Sequence, residues 1–112
     1  MKTTQAVKAL AALAQDTRLA IYRLLVQQGR EGLSAGTIAQ RLDLPAATLS
    51  FHLKELANAG MVEARQDGRF VFYSANYDRM NGLLGYLTEN CCQGQNCTTE
   101  SAIQPQQRRK RV

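Results

Sequence analysis

All three cysteines of this 112-residue chain fall in nine residues, "ENCCQGQNC", as Cys91, Cys92 and Cys97. An odd number cannot close entirely into intramolecular disulfides, and a bond between adjacent cysteines needs a strained small ring. Two kinds of chemistry stay open: a soft-ligand site, or a set of reactive thiols. A closed zinc site wants four ligands, usually Cys and His, and the chain's one histidine, His52, is far away in sequence. Trivalent arsenic or antimony keeps a lone pair and takes three thiolates in a pyramid, and soft thiolates suit a soft ion. Adjacent Cys91 and Cys92 can turn to one side at a helix end, and Gly94 lets Cys97 fold back. A helix C-terminus disfavours thiolates through its partial negative charge, so binding must supply the deprotonation.

Catalysis by these thiols is not expected. Thiol enzymes that reduce disulfides or arsenate need a Cys-x-x-Cys beside a strand-helix unit, or a cysteine followed by a phosphate-cradling loop and an arginine. Neither occurs, and no carboxylate pair is placed against a histidine.

The elements that must position the thiols follow from punctuation and periodicity. At 112 residues and 45% hydrophobic content the chain is one small domain with one core. It has no apolar run of about 18 residues and no N-terminal cleavage pattern, so no membrane span or signal peptide is expected. A cytoplasmic location with reduced thiols is the expectation. A first helix over 4–14 carries Val7, Leu10, Ala11 and Ala14 at helical spacing, and Asp16 caps a second that turns Ile21, Leu24 and Leu25 inward until Gly29. Ser34 caps a short helix to Leu42, and Pro45 opens another that ends at "NAG". "MVEAR" and "FVFYS" flank "QDGR", a hairpin signal. A last helix over 76–90 places Met80, Leu83, Leu84 and Leu87 on one stripe, fit either for core packing or for a dimer seam. Residues 98–112 are polar, Gln-rich and end in "RRKRV", and they are expected to form a disordered basic tail behind a domain at 1–97.

The fold class predicted is mainly α with a small β-hairpin, in the order of a winged helix-turn-helix. The charge of +5 says less than the order does, because without "RRKRV" 10 basic residues face 9 acidic ones. On a helical wheel over 45–60, Leu49, Leu53 and Leu56 form the buried stripe. Ala46, Ala47, Ser50, Phe51, Lys54 and Asn58 fall on the opposite arc. Small residues at its start let such a helix sit deep in a major groove; Thr48 and Ser50 can donate to bases or phosphates, and Lys54 suits phosphate. Arg65 and Arg69 of the wing can follow the backbone or the minor groove. Phe51 on a polar arc either reads DNA or packs against the wing or a neighbouring helix, and His52 projects beside the buried stripe as a structural histidine.

"LSFHLKELANAGMV" followed by "DGRFVFY" resembles the ArsR/SmtB family of bacterial metal-responsive repressors, over roughly residues 5–97. The resemblance implies a homodimer joined through its first and last helices, with Leu10, Met80, Leu83, Leu84 and Leu87 at the seam, bound to double-stranded operator DNA. The best-known arsenic sensors of the family hold a Cys-x-Cys in the first helix of the helix-turn-helix, where "LSAGTIAQRL" has none. The His- and Asp-rich last helix of zinc sensors is also absent. "TENCCQGQNC" is similar instead to a subgroup of arsenite-responsive repressors whose three thiols follow the last helix. That implies a repressor released by arsenite, As(III), or antimonite, Sb(III), with a thiol redox or persulfide sensor as the alternative.

Overall fold

The computed structural model describes residues 1–94. Five helices and a small sheet follow one another as α1 (Thr3–Leu13), α2 (Asp16–Gln28), β1 (Leu33–Ser34), α3 (Ala35–Leu42), α4 (Ala46–Asn58), β2 (Val62–Asp67), β3 (Phe70–Ala75) and α5 (Tyr77–Thr88). A 3-10 turn, Cys91–Gly94, comes last. This is the expected winged helix-turn-helix.

The helix-turn-helix is set by its end signals. Ser34 Oγ accepts the Thr37 N–H at 3.2 Å and so satisfies one of the free donors at the start of α3. Both helices of the motif then end in the same 6→1, 5→2 bond pair. Leu44 N–H reaches Ala39 O at 2.9 Å behind Asp43, and Met61 N–H reaches Leu56 O at 2.9 Å behind Gly60. That motif needs a left-handed residue at its pivot. Gly60 supplies it at φ 79°, and a Cβ there would also lie 2.9 Å from the Arg79 guanidinium. Pro45, extended at φ −61°, precedes α4 as expected.

The wing differs from expectation in two details. Asp67 pairs with Phe70, so the hairpin loop is Gly68-Arg69, with Gly68 at φ 66° in the first loop position instead of second. The hairpin is also not alone: Leu33 and Ser34 pair antiparallel with Tyr73 and Phe72, giving a three-stranded sheet in the order β1-β3-β2. Two residues are too few to show a strand's alternation, which is why β1 is invisible in the sequence.

Ile21, Leu25, Ile38, Leu49, Leu56 and Met61 form the fully buried centre, drawn from α2, α3, α4 and the start of the wing. α1 covers it with alanines: Ala6, Ala9 and Ala12 are buried, whereas Val7, Leu10, Ala11 and Ala14 are exposed. The larger apolar residues of α1 therefore face away from the subunit's own core. Asp16 is the first residue of α2, not its cap; the Gln15 side chain takes that role by accepting the Arg18 N–H at 2.9 Å. Within α2, Ile21, Tyr22 and Leu25 are buried and Leu24 is half-buried. α5 splits the stripe expected of it. Leu83 is 2% exposed and Met80 half-buried, but Leu84 and Leu87 are 48% and 53% exposed. No helix among the described residues is long and apolar enough to cross a membrane.

Candidate DNA-binding surface and thiol turn

α4 is amphipathic in the sense the wheel predicts. Leu49, Leu53 and Leu56 are buried, and Ala46, Ala47, Thr48, Ser50, Phe51, Lys54 and Asn58 are all exposed. Its first turn presents only methyl and hydroxyl groups. A backbone flanked by such short side chains can approach a base-pair edge closely, while the Lys54 ammonium two turns on can meet phosphate. Phe51 is 56% exposed. Its ring meets His52 edge-on, with centroids 5.2 Å apart, and this contact leaves most of the ring uncovered. A large exposed aromatic on an otherwise small and polar face fits a surface that a partner covers.

His52 is a satisfied structural histidine, as expected. It is 9% exposed, and its Nδ1 lies 3.1 Å from Arg18 Nη1. Arginine has donors only, so Nδ1 is the acceptor of this bond. Arg18 also donates from Nε to Ala12 O at 2.7 Å. No apolar periodicity or motif singles Arg18 out in the sequence. A local signal existed, since a cation in the first turn of a helix opposes the helix dipole and calls for a partner elsewhere.

On the wing, Arg65 and Phe72 are cross-strand partners, and the guanidinium sits 5.3 Å from the Phe72 ring centroid. Nη2 of Arg65 donates to Glu31 O at 3.3 Å. Stacking and bonding hold this arginine near the sheet, whereas Arg69 occupies the exposed loop at the wing tip. The two predicted wing arginines thus differ: Arg65 has side-chain partners within the subunit, and Arg69 is exposed in the hairpin loop.

The seam candidates cluster on α1 and α5. Leu10, Leu84 and Leu87 are exposed, joined by Val7 at 58%, while Leu83 faces its own core. The two helices are tied by a hydrogen bond of 2.5 Å between Thr3 Oγ1 and the Tyr86 hydroxyl.

Cys91 and Cys92 lie beyond α5 in a separate turn. Thr88 Oγ1 donates to Leu84 O at 2.8 Å, Glu89 is extended, and Asn90 is left-handed at φ 59°. The chain therefore leaves the helix axis before Cys91, and the unfavourable helix-end potential on the thiols is weaker than a helix running to Asn90 would give. Cys91 is free and half-buried; Cys92 is exposed and disulfide-bonded. Among the described residues no three His, Cys, Asp or Glu side chains form a metal-binding group. Cys97, the third member of the predicted set, and the tail at 98–112 lie outside the described residues.

Comparison with known proteins agrees with this architecture. Residues 13–65 match a helix-turn-helix domain family. The chain is 36% identical over 77 residues to the HTH-type transcriptional regulator YceK of Bacillus subtilis, covering 68% of this chain and 76% of that protein. It is 32% identical over 81 residues to the arsenical resistance operon repressor of the same species, covering 72% and 73%. Among solved structures, an ArsR-like transcriptional regulator from Rhodococcus sp. RHA1 superposes with a TM-score of 0.71 at 28% identity, covering 81% of this chain and 83% of that one. The homodimeric winged helix-turn-helix domain Mb0332 from Mycobacterium bovis superposes with a TM-score of 0.63 at 28% identity, covering 84% and 87%. The chain belongs to the ArsR/SmtB family of winged helix-turn-helix transcriptional regulators, and is a DNA-binding protein, not an enzyme.

Proposed function

We propose that this protein is a cytoplasmic, homodimeric repressor that occupies an operator through α4 and the wing and leaves it when As(III) or Sb(III) is captured by Cys91, Cys92 and Cys97. The observation that carries the reading is the thiol turn. Two adjacent cysteines, one of them free, stand in a four-residue turn directly after the helix that bears the exposed Leu84 and Leu87, and the third follows within the next few residues. Three thiolates match the coordination of a trivalent metalloid and fall one short of a closed zinc site. The arsenical resistance repressor of B. subtilis supports a metal or metalloid inducer, and the M. bovis homodimer supports pairing of two copies. In this reading 1–97 is the DNA-binding and dimerisation domain with its inducer site, and 98–112 is a basic tail.

The seam is formed by Leu10, Leu84 and Leu87 with Val7, flanked by Met80 and Leu83, whose burial beneath it fixes the pitch of α5. Ala46, Ala47, Thr48, Ser50, Phe51 and Lys54 face the major groove, with Arg65 and Arg69 beside it. Inducer capture at the end of α5 acts by changing the distance between the two α4 helices, which must be roughly 34–36 Å apart to enter successive major grooves. A coupling of about 1–3 kcal/mol changes operator affinity some 5- to 150-fold.

One observation favours a second reading, a thiol redox or persulfide sensor on the same scaffold: Cys92 is disulfide-bonded. A single titration separates the two. Reduced protein bound to the DNA upstream of its own gene is challenged with arsenite, antimonite, zinc and an oxidant. Release by the two metalloids alone is expected; release by the oxidant alone selects the redox sensor.

A further inference from the structure

The Arg18 side chain joins three helices, and the described function does not use it. Its backbone N–H closes the cap of α2 on Gln15, its Nε donates to the Ala12 carbonyl near the end of α1, and its Nη1 donates to His52 Nδ1 in the middle of α4. A cleft lined by Lys8, Ala12, Arg18, Glu55 and Asn58 lies between α1 and α4 beside this clip. Apolar packing alone therefore does not close the angle between those two helices on that side. The guanidinium is planar and its donors sit in a fixed fork, so binding Ala12 O and Nδ1 at once sets a direction as well as a distance.

We infer that Arg18 is a positioning residue for DNA recognition: through His52 Nδ1 it fixes the orientation of α4 relative to α1. The inference rests on the proposed dimer, in which α1 belongs to the seam, so that the α1–α4 angle sets the spacing of the two reading helices. The lever is short but sufficient. From His52 to Ala46 is six residues, about 9 Å along the axis, so a rotation of about 10° about His52 moves the start of α4 by about 1.5 Å. That displacement is half a hydrogen-bond length at the base edges and leaves phosphate attraction almost unchanged. Loss of the clip thus reduces discrimination between sequences more than it reduces affinity for DNA in general.

The test compares two isosteric replacements in the full-length reduced protein. In His52→Asn the amide oxygen takes the place of Nδ1 and can accept from Arg18; in His52→Gln the amide group reaches the Nε2 position instead. Affinities for the operator and for a scrambled duplex of equal length are measured well below the melting temperature of each variant. His52→Asn is expected to retain the wild-type ratio, and His52→Gln to lose about tenfold of it, the equilibrium worth of one charge-assisted hydrogen bond. Arg18→Lys, at a half-buried position that leaves the core intact, is expected to lose as much, because one ammonium cannot reproduce the planar fork. Equal ratios for the Asn and Gln variants, or losses that follow melting temperature and strike both duplexes alike, overturn the positioning role. If the wild-type protein itself shows no preference for the operator, the proposed function fails and this inference with it. If the wild type discriminates and all three variants match it, this inference alone fails.

Discussion

Leu84→Glu separates the two jobs that one apolar stripe performs on α5. Leu84 retains 48% of its surface in the isolated subunit, whereas its neighbour Leu83 retains 2%. Full burial of a leucine side chain contributes about 1.5–3 kcal/mol, so covering the remaining half of Leu84 contributes about 1 kcal/mol. A twofold interface uses each residue twice, which makes the dimer's share about 2 kcal/mol, or roughly 30-fold in dissociation constant. Leu84→Ala is expected to weaken the dimer by about that much. Leu84→Glu adds a carboxylate from each subunit to a desolvated surface, at a further cost of several kcal/mol, and is expected to give a monomer at micromolar concentration. The monomer keeps its helical circular dichroism and a cooperative melt because the substituted side chain lies outside its own core. Leu83→Glu, by contrast, places the charge inside and is expected to unfold the chain. Sedimentation velocity with a thermal melt reads both quantities. A Leu84→Glu protein that sediments as an unchanged dimer removes α5 from the seam, and one that unfolds like Leu83→Glu contradicts the division of the stripe.

Phe51→Ala is expected to cost on the order of 1 kcal/mol on the natural operator and almost nothing where the contacted thymine is replaced by uracil, since only the 5-methyl group is lost. A sharply lower melting temperature with an unchanged thymine-to-uracil ratio places the ring in an internal packing role. Tyr22 is 4% exposed and its hydroxyl has no hydrogen-bond partner among the described residues, so Tyr22→Phe is expected to stabilise the fold by about 1 kcal/mol in a denaturant melt at neutral pH. Burial, reinforced by Tyr77, raises the Tyr22 pKa, so the unfolded chain releases this proton first as pH rises beyond about 10, and the wild type loses stability there. Tyr22→Phe flattens that alkaline loss; an equal loss in both proteins disproves the assignment. Deleting residues 105–112 removes four of the basic residues, and is expected to weaken non-specific DNA binding and flatten its salt dependence while leaving operator preference nearly intact. Equal loss of preference shows that the tail reads bases.

The parts of the fold legible in the sequence are those written in local chemistry. Ser34, Pro45 and Gly60 punctuate the helix-turn-helix at the positions the structure uses, and the Leu49, Leu53, Leu56 spacing orients α4 correctly. Three features depend on pairings distant in sequence and were not legible. β1 is two residues long and exists only because β3 returns beside it. The burial of α1 through Ala6, Ala9 and Ala12 inverts the face that its larger apolar residues suggest, because small residues permit closer helix packing and the larger ones are left for another surface. The bond between Arg18 and His52 spans 34 residues, and only the oddity of a cation at a helix start hinted at it. The candidate site was legible to the extent that its chemistry is a matter of residue type and count. The exposure of the α4 arc agrees with the helical wheel, but the exit of the chain from the α5 axis before Cys91 does not follow from periodicity, since Glu89 and Asn90 leave the helix through backbone angles that no apolar pattern records.

In the proposed mechanism three thiolates capture one metalloid and this capture releases DNA. Both halves are read in one sample by following fluorescence anisotropy of a labelled operator while arsenite is added to fully reduced protein and the remaining free thiols are counted at each point. Three thiols are expected to disappear per arsenic bound, with the operator released in step. Replacing Cys97 by Ser should leave operator binding intact and weaken the release. Two thiols consumed per arsenic, with Cys97→Ser responding as the wild type does, or an operator that stays bound when all three thiols are occupied, contradicts this mechanism.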